Sequence, residues 1–129
     1  MLKFSNNISA ESEEFEEYFM SRVFAVTSGK GGVGKSTFCY GVGKLLALHG
    51  KRILLVDMDI GVRSLDILLG VSEKTVYNWG DIIKGNCEYR KAVIEAANGL
   101  YLLPAPLDFD ENYTPEAFSD MLGFFTKDF

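Results

Sequence analysis

Apolar and polar positions fall into regular units from Arg22 onward. Residues 22–27 (RVFAVT) are a short β-branched and aromatic run, which predicts a buried strand. Residues 28–34 form a glycine-rich loop. Residues 35–49 then place Phe38, Val42, Leu45 and Leu46 at helical spacing, which predicts an amphipathic helix stopped by Gly50. Gly41 and Gly43 sit inside that helix, where each costs about 1 kcal/mol against alanine. Close packing on a sheet accounts for their presence.

Residues 53–56 (ILLV) are continuously apolar rather than alternating. That pattern predicts a strand covered on both faces, hence a parallel sheet. A polar loop follows over residues 57–64. Residues 65–69 read as a helical turn closed by Gly70, and residues 75–83 as a helix closed by Lys84, Gly85 and Asn86. Residues 89–97 fit either a strand or a helix. Residues 100–103 read as a further strand, stopped by Pro104 and Pro106. Thr114, Pro115 and Glu116 make a helix start, with Thr as N-cap and Pro at the first helical position. That helix is expected to run to about Thr126. Strands alternating with helices give an α/β, doubly wound and mostly parallel sheet, whose functional loops lie at the C-terminal strand ends. Both polar loops fall there.

The chain has 129 residues, enough for one domain with a core. Its apolar runs are far shorter than the roughly 20 residues needed to span a bilayer. Two cysteines, Cys39 and Cys87, do not make a disulfide framework, so a reduced cytoplasmic setting is expected. The net charge of −5 argues against a general nucleic-acid coat. Charge is uneven, because the first twenty residues hold 5 Glu and 1 Lys. Residues 1–20 are therefore set apart as an acidic arm, the wrong charge for a signal or transit peptide. Residues 11–19 fit a short acidic helix, a frayed tail, or sequence preceding a natural start at Met20.

Gly29, Lys30, Gly31, Gly32, Val33, Gly34, Lys35 and Ser36 match G-x-x-x-x-G-K-[ST] without a mismatch, between a predicted strand and a predicted helix. Glycines let backbone N–H groups turn inward around phosphate oxygens, and the helix start aims its positive end at the same anion. Lys35 supplies charge to β and γ phosphates, Ser36 a hydroxyl to Mg²⁺, and Thr37 a donor to an α-phosphate oxygen. Asp57 and Asp59 stand one residue apart after the buried strand. On an extended strand both face the same way, toward the phosphate site. Their work there is to hold Mg²⁺ through its waters and to position an attacking water. A surface pair of aspartates is the alternative. Cys39 and Cys87 lack metal-site spacing, His49 fits a helix C-terminal contact, and Trp79 fits packing.

The string KGGVGKST resembles the deviant Walker A motif of the MinD/ParA family of ATPases. Residues 27–37 (TSGKGGVGKST), 56–71 (VDMDIGVRSLDILLGV) and 100–105 (LYLLPA) are similar to its MinD branch. The similarity runs from Ser21 to the C-terminus. It implies the N-terminal part of a P-loop NTPase domain over residues 21–129 and an ATPase that hydrolyses ATP to ADP and phosphate with Mg²⁺. By resemblance Lys30 is the lysine that reaches across an ATP-dependent homodimer, Lys35 the phosphate-loop lysine, and Ser36 the Mg²⁺ ligand. Asp57 corresponds to the carboxylate behind the Mg²⁺ waters, and Asp59 to the residue orienting the attacking water. A surface lysine is the alternative for Lys30. The MinD branch often carries Asn where this chain has Ser64, which puts any role of that side chain in partner-triggered hydrolysis in question.

Members of the family are about twice this length. Their Walker B strand, adenine loops and membrane-docking C-terminal helix lie beyond the matched segment. The expectation is an N-terminal fragment that does not hydrolyse ATP at a useful rate alone. Its sheet is expected to leave one side of residues 22–27 without a strand partner. The full-length form is expected to place the division septum, to meet regulators of the Min system, and to sit at the inner face of the cell membrane, with no nucleic-acid partner. Alternatives are a ParA-like or flagellar-number partition ATPase, and a non-catalytic nucleotide- or partner-binding fragment.

Overall fold

The computed structural model describes residues 2–5, 21–32 and 34–129. Val33, the expected acidic helix over 11–19 and Met20 lie outside the described residues. Strands β1 (Leu2–Ser5) and β2 (Arg22–Phe24) precede helix α1 (Lys35–Leu48) and strand β3 (Arg52–Val56). Helices α2 (Ser64–Leu69) and α3 (Trp79–Ile83) follow, then β4 (Ile94–Ala97), β5 (Leu100–Leu103) and α4 (Pro115–Gly123). Short 3₁₀ turns cover Ser72–Lys74 and Tyr89–Ala92. The sheet order is β2-β1-β3-β5-β4. β3 and β5 run parallel, Ile53 opposite Leu100 and Val56 opposite Leu103. β1 is antiparallel to both of its neighbours, so β2, β3 and β5 share one direction.

The apolar run of β3 does what its composition predicts. Ile53, Leu54, Leu55 and Val56 are all buried, and successive side chains enter opposite layers. Ile53 and Leu55 pack with Cys39, Leu65, Leu100 and Leu102, on the side of α1 and α2. Leu54 and Val56 pack with Trp79, Leu103, Met121 and Phe125, on the side of α3 and α4. Two covered faces are the physical content of a doubly wound sheet.

Several expected elements differ in detail. β2 keeps three residues of the predicted strand, and Val23 and Phe24 are about half exposed rather than buried. The cause is its place at the sheet edge, with α1 lying over β3 and β5 instead. As expected, β2 keeps one side without a strand partner among the described residues; β1 pairs its other side, with Lys3 opposite Val23, and stands between β2 and β3. Leu2–Ser5 thus belongs to the sheet, whereas composition alone assigned the whole of residues 1–20 to an arm. The buried face of α1 is set by Cys39 and Gly43, with Val42 and Leu46 beside them; Phe38 and Leu45 point outward. Gly43 is the close-packed glycine, since a Cβ there would meet Leu100 and Leu55 at 3.1 Å, while Gly41 faces open space.

The third helix begins at Trp79, four residues later than its apolar pattern suggests. Asn78 makes a reciprocal cap with Asp81, and that cap decides the start. Residues 89–97 divide into a turn and then β4, so neither single alternative held. α4 stops at Gly123, short of Thr126; Thr114 caps it by accepting from the Ala117 N–H at 3.1 Å.

Candidate phosphate-binding site

The phosphate loop leaves β2 and closes on the N-terminus of α1. Ser28 folds its side chain back onto the loop, accepting from the Lys30 N–H at 3.2 Å and donating to the Lys30 carbonyl at 3.0 Å. Gly32 and Gly34 hold positive φ of 72° and 87°, which a side chain resists. Gly34 is also the residue that caps α1, and it brings no side-chain acceptor to the first turn. The N–H groups at this helix start are therefore not capped by a side chain, as an anion site requires. Gly29, Gly31, Gly32 and Gly34 each have open space where a Cβ would stand. Lys30 and Thr37 are exposed, and Lys35 and Ser36 are half-buried. Val33 lies outside the described residues.

The second loop leaves the end of β3. Asp57 is 3% exposed, and its carboxylate accepts the Asp59 N–H at 2.9 Å and the Leu65 N–H at 3.3 Å. Burial raises the Asp57 carboxyl above its ordinary range, against the two N–H bonds that lower it; the nearby charges of Asp59 and Asp66 raise it further. β3 ends at Val56, and the Asp59 N–H bond turns the chain over the Asp57 side chain. The two aspartates therefore do not share one face of an extended strand, as their spacing suggested. Asp57 is buried and Asp59 is exposed.

A hydrogen bond joins the two loops. The hydroxyls of Ser36 and Ser64 are 2.7 Å apart, a hydrogen bond between the first turn of α1 and the first residue of α2. Because Leu65 bonds the Asp57 carboxylate, Ser36 and Asp57 are linked through two consecutive residues, Ser64 and Leu65. Sequence reasoning noticed Ser64 only as a departure from a family pattern. Its position before an amphipathic turn, at the end of the aspartate loop, was the available signal.

The far side of the aspartate loop is apolar. Met58 and Ile60 line a cavity of about 390 Å³ together with Trp79, Phe109, Tyr113 and Phe118. Trp79 donates its indole N–H to the Asp57 carbonyl at 2.8 Å. A second cavity, of about 400 Å³, is framed by Arg52, Arg90, Tyr101 and Phe129. Arg52 opens β3, so this cavity sits at the opposite end of the sheet from both loops.

No cluster of three or more His, Cys, Asp or Glu side chains suited to a metal occurs among the described residues. The two groups that Ser64 and Leu65 link, a hydroxyl and a buried carboxylate, are of the type that suits Mg²⁺, which keeps waters and completes its shell with substrate phosphates. Neither cysteine takes part: Cys39 is buried in α1, and Cys87 is half-buried in a turn. His49 ends α1 with its ring nitrogen 2.8 Å from the Leu45 carbonyl, the helix C-terminal contact expected of it.

Residues 24–122 match the CbiA family, the CobQ/CobB/MinD/ParA nucleotide binding domain. The septum site-determining protein MinD of Bacillus subtilis (strain 168) is 37% identical over 114 residues, covering 85% of this chain and 42% of that protein. MinD of Escherichia coli (strain K12) is 39% identical over 95 residues, 72% of this chain and 35% of that one. Among solved structures, the MinC:MinD cell division protein complex of Aquifex aeolicus superposes with a TM-score of 0.63 at 37% identity, covering 78% of this chain and 41% of that one. Cobyrinic acid a,c-diamide synthase of Mycobacterium smegmatis, with bound ATP analog and magnesium, gives 0.68 at 28% identity, covering 80% and 46%. The chain thus spans about two fifths of the length of these relatives.

Proposed function

The chain belongs to the CobQ/CobB/MinD/ParA nucleotide-binding family, and from that membership we propose that its two loops bind MgATP as the nucleotide-binding part of a MinD-like ATPase in division-site placement. The observation that carries this reading is the Ser36–Ser64 hydrogen bond, which puts the end of the phosphate loop beside the segment that holds the Asp57 carboxylate. Resemblance to MinD supports the cell-division role. The magnesium and ATP analog of the M. smegmatis relative support the ligand.

In this reading the backbone N–H groups of residues 29–37 cradle the phosphates. Lys35 reaches the β and γ phosphates, and Thr37 donates to an α-phosphate oxygen. Ser36 and Asp57 would hold Mg²⁺, Ser36 directly and Asp57 through bound waters. When bound, that ion neutralises charge on the phosphate oxygens. Asp59, exposed at the loop, orients the water that attacks the γ-phosphorus as the bond to the β-phosphate oxygen breaks. Lys30 reaches a second subunit's phosphates across an ATP-dependent homodimer. Hydrolysis is proposed for a chain of the relatives' length; for these 129 residues the proposal is binding. Contact with regulators of the Min system and with the inner membrane surface belongs to the same proposal. The A. aeolicus relative, a MinC:MinD complex, supports the first of these. The division of the chain at residue 20, with the nucleotide domain over 21–129, is likewise proposed, with Leu2–Ser5 contributing a strand to its sheet.

Lys35→Ala tests the site. Calorimetry of the 129-residue chain is expected to detect MgATP binding, and the variant is expected to lose it. Lys35 lies at the start of α1 and contributes nothing to the buried core, so the fold is expected to persist. Equal affinity in parent and variant would remove Lys35 from the phosphate site.

A further inference from the structure

We propose that Trp79 is a positioning residue for Asp57, holding the aspartate loop through its indole N–H; the proposal rests on the nucleotide reading given above. Asp57 is gripped at three points of its backbone and side chain. Its N–H donates to the Leu103 carbonyl at 3.1 Å, which continues the β3–β5 ladder one residue past the strand. Its carboxylate accepts the Asp59 and Leu65 N–H groups. Its carbonyl accepts the Trp79 indole at 2.8 Å, in a buried setting. The first grip comes from the sheet, and the second from the loop and from Leu65 at the start of α2. Trp79 brings the third from α3, on the carbonyl rather than the carboxylate.

The indole is itself fixed. The backbone N–H of Trp79 donates to the Pro104 carbonyl at 3.0 Å, tying the start of α3 to the exit of β5. Its rings meet Tyr113 edge-on at a centroid distance of 4.9 Å and Phe118 at 5.4 Å. Trp79 is 3% exposed, so the indole has little freedom to turn. A fixed donor on the Asp57 carbonyl sets the peptide plane between Asp57 and Met58. That plane decides where the chain goes after β3, and so whether the Asp59 N–H can close on the Asp57 carboxylate. The role needs an N–H on a large ring. Phenylalanine fills much of the same space and makes the same edge contacts but has no donor.

Trp79→Phe separates positioning from packing. ATP affinity is measured by calorimetry in Mg²⁺ and in EDTA, for parent and variant. Positioning predicts that the variant matches the parent in EDTA and loses about tenfold of the strengthening that Mg²⁺ brings, the loss typical of removing an outer partner of a metal site. Loss of packing alone would weaken both conditions together. A variant with the parent's Mg²⁺ dependence overturns the proposal. A parent that binds no ATP in either condition overturns the nucleotide reading and this proposal with it. If the variant fails to fold, the parent decides, since Trp79 is the chain's single tryptophan. An indole emission change on adding MgATP, absent on adding ATP in EDTA, supports the proposal. An emission indifferent to Mg²⁺ overturns it.

Discussion

Arg63 holds a left-handed backbone at φ 51°, among the described residues the one non-glycine in that region. Such a conformation costs a non-glycine residue roughly 1 kcal/mol, so something must offset it. The offset is Asp66, 4% exposed, whose carboxylate takes the Arg63 guanidinium at 2.8 Å. Removing the cation would leave a buried carboxylate without its counter-charge, a loss of about 3–5 kcal/mol in buried pairs. Arg63→Ala is therefore expected to lower stability in urea unfolding by about 3 kcal/mol. Adding Asp66→Asn to that variant should restore more than half of the loss. If the double variant were as unstable as the sum of the two single ones, the pair would not be the reason for the strain. None of this was legible in the sequence. Residues 65–69 read only as a helical turn, and the positive φ of Arg63 depends on the path of the loop and not on local composition.

Helix α1 shows where a sequence pattern succeeds and where it stops. Its existence, its start at the phosphate loop and its end before Gly50 follow from local signals. Its buried face does not, because Phe38 and Leu45 satisfy helical spacing as well as Cys39, Val42 and Leu46 do. What selects the face is Gly43, which lets the helix backbone come down onto Leu55 and Leu100. The two glycines of this helix should therefore respond in opposite ways to the same change. Gly41→Ala meets nothing and should stabilise by about 1 kcal/mol through helix propensity and lost unfolded-state entropy. Gly43→Ala brings a methyl within 3.1 Å of the terminal methyls of two buried leucines, which must shift to admit it, and should destabilise. Thermal unfolding of both variants checks the contrast; a stabilising Gly43→Ala would contradict the close approach. α3 carries a similar lesson, since its apolar pattern starts four residues before the Asn78–Asp81 cap that begins the helix.

At the scale of the whole molecule, the α/β class and the two functional loops were legible, because continuous apolar strands and glycine punctuation are local. The place of Leu2–Ser5 between β2 and β3 was not. Four residues are too short for their alternation to mark a strand, and the place they take is set by distant strands. The pairing of the loops is also a long-range fact. Ser36 and Ser64 are 28 residues apart, and their contact exists because β3 brings the end of one loop beside the start of α1. The account stands on those loops forming one site. Hydrogen exchange on the intact chain, with and without MgATP, tests this directly. The account predicts that nucleotide slows exchange in residues 29–37 and 57–65 together, with little change at the Arg52 and Arg90 end of the sheet. Slowed exchange in the phosphate loop alone, with residues 57–65 unaffected, would contradict it.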